Sequence, residues 1–381
     1  MGKFFRGVFL VGIVAVFISI FQGGHNNNPA LAYEGSSDST LKLIVEGMGI
    51  ITRNKAILRE YAETLYGHGL PLEGKTYLVT GTTSGLGSGI AGHLAALGAS
   101  QILPVRKLKP DFESEIAKMA KTLRKKYDNT GNLIDVSNPD IKTVIMDLSD
   151  FQSIDTAVEQ LHNDGVKVDV LINNAGLINP NGYLSKQGVE LTMGVNFLGT
   201  AYFTKRLLDL GIIDSSDGPS RIISISSEEH RMAKSFNTTE PLQQLSTGSV
   251  VDTMDRYAFS KLAQTTYFTG LARKLPKEKI VVNDMCPGPV ASNIASNGLP
   301  GIGNLIAFIM KYTTPSPEVA ALPVLRLADA PEYAKFTGQH FHIAEPRPAR
   351  ADARDETFQN WLDQELADIS SQHNHQQRRG V

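Results

Sequence analysis

"KTYLVTGTTSGLGSGIAGHLAALGA", residues 75–99, decides the fold. It opens on a short β-rich run, "KTYLVT", breaks at Gly81, and resumes in "SGIAGHLAALGA" as an apolar helix pattern closed by Gly98. The turn between them, "TGTTSGLG" (Thr80–Gly87), carries glycines at 81, 85 and 87. Gly81 permits a tight exit from the strand, while Gly85 and Gly87 let backbone and helix start come close to a ligand. Free N–H groups at the helix start then face an anion, as a dinucleotide pyrophosphate requires. Gly81, Ser84, Gly85, Leu86 and Gly87 are accordingly the first cofactor-binding candidates.

The same alternation runs outward from this unit. "QILPVR" reads as a second strand, Asp111–Tyr127 as a charged helix, "NPDIKTVIMDL" as a third strand and "FQSIDTAVEQLHND" as a helix. "VDVLINNAG" is a fourth strand, Val189–Leu210 a helix, "SRIISISS" a strand, Asp252–Lys274 a helix and "IVVNDMCPG" a further strand. Strands alternating with helices make βαβ units and a parallel sheet covered on both faces. The fold class is α/β, a doubly wound parallel sheet (Rossmann-type) in a single catalytic domain over residues 72–345.

The flanks read differently. Lys3 and Arg6 precede an uncharged apolar run from Gly7 to Phe21, and small residues stand at Ala30 and Ala32. Residues 1–33 are therefore either a signal peptide or a retained membrane anchor. Residues 34–71 combine the end of a Gly/Asn/Ser-rich linker (22–40) with an amphipathic helical segment from Leu41 to Leu65, interrupted near "TRN". Residues 346–381 are a C-terminal helix and a polar tail, and the composition from Trp361 onward, ending "SQHNHQQRRGV", leads us to expect no order there.

Composition narrows the function classes. With 41% hydrophobic and 20% charged residues in 381, the chain is ordinary globular protein, and a net charge of −2 gives no reason to expect nucleic acid as a partner. A single cysteine, Cys286, rules out an intrachain disulfide and a cysteine-rich metal site. His340 and His342 in "GQHFHI" are most simply alternating strand positions, so no metal is expected.

The end of the second strand selects the dinucleotide. An acid there would bind a ribose 2′-hydroxyl, whereas "PVRK" supplies Arg106 and Lys107, which suit a 2′-phosphate and hence NADP(H) rather than NAD(H). Asp147 and Leu148 end the third strand, where the Asp147 carboxylate either accepts from the adenine amino group or caps the helix that follows.

"RYAFSK", residues 256–261, places Tyr257 four residues ahead of Lys261, one helical turn away. Ser227 ends "RIISISS" and Asn196 lies in "MGVNFLG". Together with Thr80-Gly81-x-x-x-Gly85-x-Gly87, Asn173-Asn174-Ala175-Gly176 and Pro287-Gly288-Pro289-Val290, in this order, the chain resembles the short-chain dehydrogenase/reductase family. Within it, "GVELTMGVNFLGTAYFTKRLLDL", "YAFSKLAQTTYFTGLARKL" and the long separation of Ser227 from Tyr257 look like the retinol dehydrogenase and WW-domain oxidoreductase branch.

The resemblance implies roles. Tyr257 would exchange a proton with a substrate hydroxyl or carbonyl while the nicotinamide gives or takes a hydride. Lys261, together with the cofactor's positive ring, would lower the phenol pKa from about 10, and it would also bind the ribose hydroxyls. Ser227 would hold the substrate oxygen, and Asn196 a relay water. Asn174, Ala175, Gly176, Pro287, Gly288, Val290 and Ser292 would line the cofactor. Cys286 stands where the branch carries histidine, Ser292 replaces threonine, and "YDNTGNLIDVSNPD" is an insertion without a counterpart.

The branch implies a lipophilic alcohol or carbonyl (retinoid, steroid or similar), association with a membrane, the endoplasmic reticulum first among them, and a homo-oligomer through the helices around Val189–Leu210 and Asp252–Lys274. The apolar segment "GLPGIGNLIAFIMKYTTP" sits where the family builds its substrate lid, and Asn237 opens a glycosylation sequon. Two other readings compete: a pigment or polyprenoid reductase of a plastid or other organelle, and a non-catalytic nucleotide-binding scaffold.

Overall fold

Eight strands form one sheet in the order β3-β2-β1-β4-β5-β6-β7-β8, in a computed structural model. They are β1 (Thr76–Val79), β2 (Ser100–Val105), β3 (Ile141–Ile145), β4 (Val170–Asn173), β5 (Ser220–Ile225), β6 (Ile280–Cys286), β7 (His340–His342) and β8 (Glu345–Pro346). All neighbours pair parallel except β8, which runs antiparallel to β7. The structure describes residues 57–128, 130–131, 134–215, 218–234, 240–247, 253–288, 290, 314–343 and 345–379. The chain divides into two units, Met1–Glu60 and Tyr61–Val381. Of the first, only 57–60 are described, and they are helical.

Apolar residues on both strand faces make the sheet a buried middle layer. Leu78, Leu171, Ile222 and Val282 face one core, while Tyr77, Val79, Val170, Ile172, Ile223 and Met285 face the other. The helices α1 (Gly85–Ala96), α2 (Phe112–Tyr127) and α6 (Pro317–Asp329) cover the second face. On the first lie α3 (Phe151–Asn163), α4 (Thr200–Asp209), α5 (Thr253–Lys274) and α7 (Glu356–Arg379). From β1 the chain winds outward to β3, then returns beside β1 as β4. The crevice at the carboxyl ends of β1 and β4 is the switch point where such sheets bind ligands.

Two local features position the site. Ahead of α4 the chain passes through a wider π turn, Gly194–Gly199, where the Thr200 hydroxyl donates to the Val195 carbonyl at 2.8 Å. A Cβ on Gly199 would lie 1.8 Å from the Leu148 carbonyl oxygen, so this turn and the end of β3 lie in contact. On the opposite face, buried Arg124 of α2 donates to the carbonyls of Ala96, Tyr66 and Gly69, joining α1 to helical residues 61–67.

The C-terminal expectation is corrected. Instead of a polar tail, residues 356–379 are one helix, whose Phe358, Leu362, Leu366 and Ile369 are buried in the core shared with α5. Near its end His373 Nε2 meets Asp155 Oδ2 at 3.0 Å, and Asp155 also receives the Tyr202 hydroxyl at 2.9 Å and Arg206 Nε at 2.7 Å. The apolar run Gly7–Phe21, most of the segment Leu41–Leu65, the sequon at Asn237, most of the lid segment and Ser292 lie outside the described residues. Among the described residues no helix is long and apolar enough to cross a membrane.

Candidate active site

The glycine turn is stitched to the loop after β4. Thr80 Oγ1 accepts from the backbone N–H groups of Asn174 (3.1 Å) and Ala175 (3.0 Å). Asn174 Nδ2 in turn donates to the carbonyls of Thr80 (2.8 Å) and Gly81 (3.1 Å). Gly81 holds φ +73°, and a Cβ on it would lie 2.7 Å from Ala175 Cα. Ser84 precedes the first turn of α1, its side chain makes no capping bond, and no acid stands in that turn to offset the helix dipole. This donor-rich, uncharged helix start has the form an anionic ligand needs.

Gly87 is the tightest point of the cradle. A Cβ there would meet the Gly81 carbonyl oxygen at 2.1 Å and Asn174 Nδ2 at 2.6 Å. Backbone cannot rotate out of the way as a flexible side chain can. Gly87→Ala is therefore expected to weaken dinucleotide binding at least tenfold, about 1.4 kcal/mol, and to lower Tm, measured by calorimetric titration and thermal melts.

Arg106 is exposed at the end of β2, beside exposed Lys107. At the end of β3, Asp147 Oδ1 accepts from the backbone N–H (2.9 Å) and hydroxyl (2.7 Å) of Ser149. The helix-cap alternative for Asp147 is corrected: Asp150 caps α3, accepting from Gln152 N. Leu148 is buried beside it. Pro287 and Gly288 leave β6 through a positive φ at Gly288, whose N–H lies 3.4 Å from Cys286 Sγ, and partly buried Val290 packs against the core on the α1 side.

Asn196, Ser227, Tyr257 and Lys261 come together at the carboxyl ends of β4 and β5. Asn196 lies in the π turn, where its Oδ1 accepts from Leu177 N (2.8 Å) and its Nδ2 donates to Leu177 O and Ser260 Oγ, both at 3.0 Å. It thus ties the loop after β4 to α5. A Cβ on Gly176 would sit 3.4 Å from Asn196 Oδ1 and 3.5 Å from Lys261 Nζ, so glycine keeps this floor open. Lys261 is buried, and Nζ donates at 2.9 Å to Ile225 O and to Gln264 Oε1. Ser227 starts the 3₁₀ turn Glu228–Met232, its Oγ accepting from Glu229 N.

Burial dominates the electrostatics of the pair Tyr257 and Lys261. Burial pushes the Tyr257 phenol well above its ordinary value, opposed by its hydrogen bond with Ser227, and Cys286 and Glu229 add to the rise. Nζ of Lys261 sits 5.9 Å from the ring centroid and is held by Ile225 O and Gln264 Oε1. Burial also lowers Lys261 to about 8, with Asp284 opposing. A neutral phenol beside a hydroxyl and a cation is an arrangement able to give a proton to a carbonyl oxygen.

Behind this group lies a cluster that sequence reading missed. His340 Nδ1 meets Asp284 Oδ2 at 2.6 Å, and its Nε2 meets Glu228 Oε1 at 3.1 Å. A visible signal existed: Asp284 is the one acid in the strand "IVVNDMC", and an acid inside a buried strand needs partners.

A family model described as short chain dehydrogenase matches residues 75–239. Over that stretch the chain is similar to the short-chain dehydrogenase/reductase family, a group of oxidoreductases that use a nicotinamide cofactor. Within that family it is similar to the retinol dehydrogenases. It is 28% identical over 326 residues to mouse (Mus musculus) retinol dehydrogenase 13, covering 84% of this chain and 90% of that one. It is 29% identical over 293 residues to human (Homo sapiens) retinol dehydrogenase 14, covering 75% and 83%. Among solved structures, a protein from Mycobacterium paratuberculosis shares the fold with TM-score 0.54 at 20% identity, covering 80% of this chain and 97% of that one.

Proposed function

We propose that the chain is an NADP(H)-dependent oxidoreductase acting on a lipophilic alcohol or carbonyl, retinoid, steroid or lipid-like, with Tyr257 as proton donor and acceptor. The observation that carries this is the gathering of Tyr257, Ser227, Lys261 and Asn196 beside the Gly81–Gly87 cradle, at the sheet's switch point. The retinol dehydrogenase relatives support the substrate class.

The residues fit the dinucleotide. The α1 start with Ser84 and Gly85–Gly87 would hold the pyrophosphate, Arg106 the 2′-phosphate, Asp147 and Leu148 the adenine side, and Asn174, Ala175 and Gly176 with Pro287, Gly288, Val290 and Ser292 the nicotinamide side. The cofactor supplies the hydride; the chain manages the proton. Ser227 donates a hydrogen bond to the substrate oxygen and holds it at the phenol. In reduction Tyr257 gives its proton to that oxygen, and Lys261, bonded to backbone beneath it, supplies positive charge as phenolate forms. Asn196 fixes the loop that closes the floor.

Membrane association rests on the N-terminal apolar run, and self-association through α4 and α5 would have to accommodate α7, which packs on α5 in the same core.

The test is turnover of NADPH and NADH against retinoids, steroids and aliphatic aldehydes. NADPH oxidation with a lipophilic carbonyl supports the reading; tight NADPH binding with no turnover overturns it in favour of a scaffold. The cofactor choice has its own test. Arg106→Asp removes charge-assisted bonds to a 2′-phosphate, and about 2.7 kcal/mol of such contacts is about a hundredfold. The KM for NADPH is expected to rise by that factor while that for NADH stays level or falls, since the new carboxylate can bind the 2′-hydroxyl; equal changes for both would show that Arg106 does not read the phosphate.

A further inference from the structure

Three consecutive residues, Ser226, Ser227 and Glu228, are each tied to the same buried cluster. Ser226 Oγ donates to Asp284 Oδ2 at 2.7 Å, and the Ser227 carbonyl accepts from His230 Nδ1 at 2.7 Å. Glu228 Oε2 pairs with Arg231 Nε and Arg347 Nη1, both at 2.8 Å. At the centre is His340, with a side chain wholly excluded from solvent. It faces Asp284 directly across β6 and β7, where the two are register partners, and reaches Glu228 with its other nitrogen. The His230 ring lies edge-on at 4.8 Å between centroids.

We propose that His340 is a positioning residue: as an imidazolium bridging Asp284 and Glu228, it pins the turn that carries Ser227 to the β6–β7 edge and so sets where Ser227 meets Tyr257 and a substrate oxygen. The inference rests on the catalytic reading above and deepens it. Both ring nitrogens of His340 face carboxylates, which requires both to carry hydrogen. The two carboxylates raise His340 to about 9 against the cost of burial, so its charge is present at neutral pH and is lost as pH rises through that value. Other groups face the cluster from every side: Thr265 and Lys261 from α5, His230 and Arg231 from the 3₁₀ turn, Cys286 and His342 from the strand ends, and Arg347 and Arg350 from the segment after β7.

Glu228, His230 and His340 also place ligand-type atoms within 4.8 Å of one another. The two guanidiniums on Glu228 and the double protonation of His340 already meet the charge requirement there, and a protonated imidazole cannot ligate. A protein-internal clamp accounts for the cluster without an ion.

The test uses the full chain and reads Ser227 in two independent ways. With ¹³Cζ-labelled tyrosine, the Tyr257 signal, assigned through Tyr257→Phe, should shift in His340→Gln because the Ser227 bond is altered. In steady-state reduction, His340→Gln should lose about 10–100-fold in kcat, the scale of a misplacement near 1 Å, with the KM for NADPH within about twofold. Glu228→Gln should act in the same direction. The double variant E228Q/H340Q, where two amides can bond without charge, should recover part of kcat and flatten its dependence on pH near 9. An unshifted Tyr257 signal, or His340→Gln with the wild-type kcat and pH profile, overturns the proposal. Lack of turnover by the wild-type chain would overturn the catalytic reading instead, and the tyrosine signal would still decide this one.

Discussion

Tyr257→Phe is expected to lose about three orders of magnitude in kcat, in the range a positioned proton donor supplies, while NADPH binding stays within about twofold. The change removes one oxygen from a buried ring and leaves no cavity, so Tm should stay near that of the wild type. The loss falls on kcat because the phenol proton moves only as charge develops on the substrate oxygen. Burial keeps Tyr257 protonated, which suits carbonyl reduction, and on the proposed reading loss of the Lys261 cation is the first alkaline step, below that of His340. Burial lowers Lys261 to about 8. Its cation is present below that value and lost above it, so kcat for reduction should fall as pH rises through about 8. A Phe variant with near-wild-type kcat would show that another group gives the proton. A reduction rate flat across pH about 6 to 10 would show that the Lys261 charge plays no part.

The parts of this arrangement that sequence reveals are those with a local signature. The β1 turn is legible because glycines between a strand and a helix are rarely interchangeable, and Gly87 shows why: any side chain would strike backbone. Tyr257 and Lys261 are legible because four residues is one helical turn. What the sequence hides is long-range. The π turn at Asn196 lies against Leu148, 51 positions before Gly199, and no periodicity reports that contact. The spacing of Tyr257 and Lys261 does not report that Nζ is held by Ile225 O and Gln264 Oε1, or that burial raises the phenol. His340 looked like plain strand alternation because its partners, Asp284 and Glu228, lie 56 and 112 residues away.

The C-terminal helix shows the same limit through composition, and it carries the second large effect. Its mean character is polar, yet Phe358, Leu362, Leu366 and Ile369 recur at helical spacing and are all buried. Full burial of such side chains is worth about 1.5–3 kcal/mol each, about 6–12 kcal/mol for the four, against a whole-domain stability of about 5–15 kcal/mol. A chain ending at Asp355 is therefore expected to be insoluble or unfolded, as measured by soluble yield and circular dichroism. Leu366→Ala should cost about 2–4 kcal/mol by the lost contacts and the cavity left behind. Gln377→Ala, at an exposed contact with Gln152, should cost less than about 0.5 kcal/mol. The uncovered surface is that of α5, one of the two helices the family resemblance offers for self-association. If the shortened chain folds and pairs through it, α7 is a cover on an association face; if it folds as a monomer with the wild-type Tm, the helix contributes nothing and the energetic argument fails.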